Sequence, residues 1–175
     1  VSGSVIAQAL GILLVPIITR LYSPGDYGAF QVFLSISSIL AVLSCLSYHL
    51  AVMLPKEDED SANIVTLCIA LVSIISVVSG GVFILLSGWV GEVLNTPDLS
   101  QYLIFLPVVV FLNGLFVVVN YWLSRRVRFG TLATAQVVNS VSSKFVQIGT
   151  GVGGASPLGL ILGLIAGYGA ALLVM

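Results

Sequence analysis

Long uninterrupted apolar runs divide this chain, and the short segments between them hold most of its charge. That pattern leaves few folds open. A helix crossing a hydrocarbon core of ~30 Å needs about 20 apolar residues. Six runs approach or exceed that length: residues 1–19, 30–54, 62–90, 102–123, 132–149 and 158–175. Barrel strands would alternate polar and apolar residues over about ten positions, whereas these runs are continuous. Only 7% of residues are charged and 58% are hydrophobic, against about 25% charged in an ordinary soluble domain. Too little polar surface exists to cover a water-soluble globule. The sequence therefore reads as an all-α polytopic membrane protein with six transmembrane helices.

The connecting segments orient these helices. Tyr121 to Gly130 reads YWLSRRVRFG and contains Arg125, Arg126 and Arg128, three of the six basic residues. A basic cluster between two membrane-length runs marks a cytoplasmic loop. Loops two and four carry Lys56, Arg125, Arg126 and Arg128, and the other set carries only Arg20. This places the N-terminus in the cytoplasm. The first loop, residues 20–30, contains the turn signal Ser23-Pro24-Gly25-Asp26. Lys56 to Asn63, KEDEDSAN, reads as a solvated acidic knot, and GVGGAS before Pro157 as a flexible loop. Gly80-Gly81 permits a bend or a close neighbour, and Trp89 is a candidate interfacial anchor. Both ends of the sequence read as cut, so a fragment of a longer chain is expected, with no signal peptide in view.

Polar side chains inside the runs are the candidate site. Gln136, Asn139, Ser140, Ser143 and Gln147 recur at three- and four-residue steps, which places them on one helical face, with Lys144 beside it. Such a stripe is costly against lipid and belongs in a bundle interior or an aqueous cavity. Lys144 has two readings, snorkelling toward the outward headgroups or lining a cavity for an anion. His49 is either a satisfied interior histidine or a proton-responsive group. Gln8, Asn113 and Asn120 extend the expected lining to further helices. In segment six, Gly159, Gly163 and Gly167 are four apart, the spacing of a close helix contact.

Other chemistry finds no support. Cys45 and Cys68 lie inside apolar runs and read as small hydrophobes. No metal-ligand spacing, nucleotide-binding loop or paired intramembrane carboxylates occur. No cofactor is expected, and a net charge of -1 gives no case for nucleic acid.

The run TRLYSPGDYGAFQVFLSISSILAVLSCLSYHLAVMLPKEDEDSAN resembles the start of bacterial polysaccharide biosynthesis membrane proteins. These are the O-antigen and capsule flippases of the multidrug/oligosaccharidyl-lipid/polysaccharide exporter superfamily. NYWLSRRVRFGTLATAQVVNSV and GASPLGLILG are similar to the same family. The resemblance implies the N-terminal lobe of a two-lobed transporter in the inner membrane. It implies no enzyme activity but translocation of an undecaprenyl-pyrophosphate-linked oligosaccharide for lipopolysaccharide, capsule or exopolysaccharide synthesis. Membrane lipids and glycan polymerase or assembly proteins are the implied partners. The chain departs from the family's pattern at Ser47 and His49, where basic and acidic residues are usual, and Lys144 is a candidate replacement for the cation. The alternatives are an ion-coupled multidrug exporter of the same superfamily and a non-transporting scaffold of a glycan-assembly complex.

Overall fold

A computed structural model describes residues 2–45, 48–55, 57–93, 102–154 and 156–175. Among these the chain is helical, with no strand. The helices are α1 (Ser2–Leu21), α2 (Pro24–Cys45), the single turn α3 (Tyr48–Ala51), α4 (Asp58–Val93), α5 (Leu106–Arg125), α6 (Phe129–Gly154) and α7 (Pro157–Val174); a 3-10 turn over Leu103–Phe105 leads into α5. Among the described residues four stretches are long and apolar enough to cross a membrane, where the sequence led us to expect six: Pro24–Ser44, Asp58–Phe83, Leu103–Arg125 and Pro157–Val174. Large apolar side chains such as Phe145 (79% exposed) and Leu173 (90%) point outward, which suits lipid and not water.

Several boundaries differ from the sequence expectation, each for a local reason. The SPGD turn is the start of a helix. The Ser23 Oγ accepts from the Asp26 amide at 3.1 Å, and the Asp26 carboxylate accepts from the Ser23 amide at 3.2 Å. This is a capping box with Pro24 at the first helical position, so α2 begins six residues before the expected Phe30. The acidic knot is likewise helical. Asp58, Glu59 and Asp60 form the first turn of α4, where the helix dipole favours negative charge. Expected segment two is divided, since α2 ends at Cys45 and His49 sits in the separate turn α3. Most of GVGGAS is helix: α6 continues to Gly154, whose φ of 134° ends it. The side chains of Cys45 and Trp89, and residues Ser47, Lys56, Pro97 and Asp98, lie outside the described set.

Glycines bring the helices together. Gly159, Gly163 and Gly167 of α7 lie against α6, and a Cβ at Gly163 would fall 2.8 Å from the Ser143 carbonyl oxygen. On α4, Gly80 meets Pro107, so it serves a close neighbour. The largest core joins Ile18, Tyr22, Phe30, Phe33, Leu106, Val110, Leu160 and Ile161. These residues come from the end of α1 and the starts of α2, α5 and α7, so this core lies at the end of the bundle opposite the arginine-rich α5–α6 turn. We call these the far end and the basic end. At the far end the Tyr22 hydroxyl is within 2.6 Å of the Gln147 carbonyl, to which it donates, and 2.9 Å from Thr150 Oγ1.

The α5–α6 turn contains one strained residue. Val127 has φ 57°. The Arg128 amide bonds the Leu123 carbonyl and the Val127 amide bonds the Ser124 carbonyl, a Schellman arrangement whose left-handed position usually takes glycine. Val127 is 68% exposed, so little packing offsets the penalty. Val127→Gly should stabilise the protein by about 1 kcal/mol, read as a higher unfolding midpoint in detergent. Gly163→Ala should destabilise it by about 1–3 kcal/mol through overpacking. Gly169→Ala, where an added Cβ meets nothing within 4 Å, should leave the same midpoint unchanged or slightly raised.

Candidate functional site

The polar stripe of α6 is shared between two environments. One part is pressed against the glycines of α7. Gln147, 2% exposed, donates from Nε2 to the Leu160 carbonyl at 3.2 Å, and its Oε1 accepts from the Lys144 amine at 3.2 Å. The close approach at Gly163 puts Leu160's carbonyl within reach, because the Gln147 side chain occupies the space a Cβ would take. The other part faces a cavity of about 490 Å³ lined by Gln8, Phe116, Gln136, Asn139, Ser140, Ser143 and Lys144. That volume lies within the range of small-molecule sites, roughly 300–1,000 Å³.

Five expected lining residues are thus brought together: Gln8 of α1 and Gln136, Asn139, Ser143 and Lys144 of α6. Four others lie elsewhere. Gln147 is behind the cavity wall, where it holds the lysine. Asn120 donates to the Phe116 carbonyl at 2.7 Å, a bond within its own helix. Asn113 is half-buried on α5 and does not line the cavity. His49 is at the basic end, its ring 4.7 Å from that of Tyr121. Its Nδ1 is buried without a partner among the described residues, and burial lowers its pKa, which favours the neutral imidazole. Ser140, read in the sequence as part of the stripe, also lines the cavity, whereas Phe116 escaped the sequence reading because it sits in an apolar run where nothing sets it apart.

Lys144 is the chemical centre of this cavity. Fifteen residues separate it from Phe129 and ten from Gly154, or about 22 Å and 15 Å along the axis at 1.5 Å per residue. The described lining contains no carboxylate, and among the described residues the amine donates to a neutral amide, that of Gln147. A half-buried cation whose hydrogen-bond partner among the described residues is an amide keeps a charge that can attract an anion. Its neighbours supply amide and hydroxyl groups, which both donate and accept hydrogen bonds.

The arginines of the basic end have a separate task. Arg125, with a side chain 14% exposed, donates from Nη1 to the carbonyls of Pro55 (2.7 Å) and Val52 (3.3 Å) and from Nη2 to that of Glu57 (3.3 Å). Its Nε lies 3.4 Å from the Asp58 carboxylate. Arg126 also reaches Asp58 at 3.4 Å and lies over the Trp122 ring, 4.9 Å from its centroid. Two of the three charges thus fasten the α3–α4 connection to the end of α5, while Arg128 is exposed. Arg125→Lys should cost about 1–3 kcal/mol, since a single ammonium cannot reproduce the planar fork. Limited proteolysis between residues 52 and 58 should accelerate accordingly.

Helices long and apolar enough to cross a membrane define an integral membrane protein, and a polar, amine-bearing pocket is lined by α1, α5 and α6. The sequence matches the polysaccharide biosynthesis protein family over residues 17–175, and the chain belongs to that family. A role in polysaccharide synthesis or export follows from that membership. No curated protein and no solved structure matches the chain.

Proposed function

We propose that this chain forms a substrate-binding lobe of a flippase that carries a polyprenyl-pyrophosphate-linked oligosaccharide across the bacterial inner membrane. The observation that carries the reading is Lys144, a mid-helix amine facing a cavity whose other polar groups are neutral amides and hydroxyls. The amine offers a place for the pyrophosphate, and the amides and hydroxyls offer partners for a glycan. A cavity of about 490 Å³ suits a headgroup, leaving the prenyl tail in lipid. The protein carries its ligand without transforming it, and glycan-assembly proteins are its natural neighbours. In this reading the basic end faces the cytoplasm, as the loop arginines favour, and so does the N-terminus. A multidrug exporter for organic cations would want acidic groups where this cavity has an amine.

Leaflet-to-leaflet translocation in liposomes tests the proposal, with the protein purified as its native cell makes it. Lys144→Gln should reduce transport of the pyrophosphate-linked glycan at least about tenfold while leaving membrane insertion intact, as expected for a buried charge contact worth ~1.4 kcal/mol or more. Lys144→Arg should retain a substantial part of the activity. Unchanged transport in the glutamine variant removes Lys144 from the mechanism. Transport of an organic cation in place of the glycolipid would move the chain to the drug-exporter class.

A further inference from the structure

The cavity contains more than an anion needs. Beside one amine it gathers three carboxamides (Gln8, Gln136, Asn139) and two hydroxyls (Ser140, Ser143), while its remaining described lining residue is a phenyl ring, Phe116. A site for phosphate alone calls for cations and N–H donors. Amides and hydroxyls offer donors and acceptors in similar number, which matches a polyol. The ring is the exception, since it presents apolar surface among groups that hold water.

Phe116 comes from α5, whereas the polar groups come from α1 and α6. Its ring packs against that of Tyr168 on α7, with centroids 5.6 Å apart and planes tilted by 55°. That separation falls in the favourable range for aromatic pairs, about 4.5–7 Å. Tyr168 is not in the described lining, so it braces Phe116 from outside the cavity that Phe116 lines. Sugars have a matching division, with hydroxyls around the edge and C–H groups across the faces. Polarised C–H groups are attracted to the electron-rich face of an aromatic ring.

We infer that Phe116 is a specificity-determining residue, the platform on which the first sugar of the glycan stacks while Lys144 holds the adjoining phosphate. The inference rests on the flippase reading and deepens it by assigning the two parts of the headgroup to different walls of one cavity. The α6 wall takes charge and hydroxyls, and the α5 wall takes the pyranose face. Discrimination between a sugar-bearing lipid and a bare one then depends on α5.

The test compares two probes on the full protein in liposomes: a polyprenyl pyrophosphate without sugar and the same lipid bearing one hexose. Phe116→Leu keeps an apolar side chain and removes the aromatic face. It should weaken binding of the sugar-bearing probe about tenfold and leave the bare probe unchanged. Phe116→Trp should restore the preference, and Lys144→Gln should weaken both probes. An equal loss for both probes in Phe116→Leu would mean that the ring touches the prenyl chain or only fills space, and would overturn the inference. So would no loss for either probe. If neither probe binds the unaltered protein, the flippase reading fails. If both bind and Phe116→Leu is silent, only the stacking platform fails. Unfolding midpoints of the variants separate binding loss from misfolding.

Discussion

The contact between α6 and α7 is the constraint on which the site depends. A helix with amides on one face cannot lie comfortably against hydrocarbon. The glycines at 159, 163 and 167 let α7 approach until its Leu160 carbonyl meets the Gln147 side chain. That bond takes Gln147 out of contention as a ligand and turns its oxygen toward the lysine. The cavity is therefore a by-product of close packing. Asn139 and Ser143 touch α7 at Gly167 and also line the cavity, which Gln8 of α1 and Phe116 of α5 complete.

Much of this was legible in the sequence because membrane folding exposes its rules. Runs of apolar residues must be helices where the backbone has no water to satisfy it, and a four-residue glycine spacing announces a close neighbour. The stripe on α6 was legible for the same reason. Its division was not, since Gln147 and Ser140 carry the same one-dimensional signal and only the position of α7 separates them. Phe116 was illegible, because one more apolar side chain in an apolar run carries no signal of its own. The early start of α2 was misread from a signal with two meanings: Ser-Pro-Gly-Asp begins turns, and Ser-x-x-Asp begins helices. The reciprocal bonds of Ser23 and Asp26 decide for the helix.

The basic loop shows a different overlap. The arginines of this loop, read in the sequence as a topology signal, do local structural work. Arg125 satisfies carbonyls left open by the short turn α3 and the residues after it, while Asp58 binds both Arg125 and Arg126. Topology and tertiary structure thus draw on the same side chains, and a charge count alone cannot tell how many of them remain available to a partner.

Gln147 has one more consequence, which concerns the order in which the bundle is assembled. Its backbone carbonyl accepts from Tyr22 beside the end of α1, its amide nitrogen donates to α7, and its amide oxygen holds Lys144. Among the described residues α6 does not reach the apolarity of the four candidate spans. Synthesis supplies α1 before α6 and α7 after it, so α6 emerges with only one of its two polar partners in place. The hydrogen bond to α7 therefore forms only after α6 has been made, and the amide that holds the cation is fixed in place only when α7 packs against it.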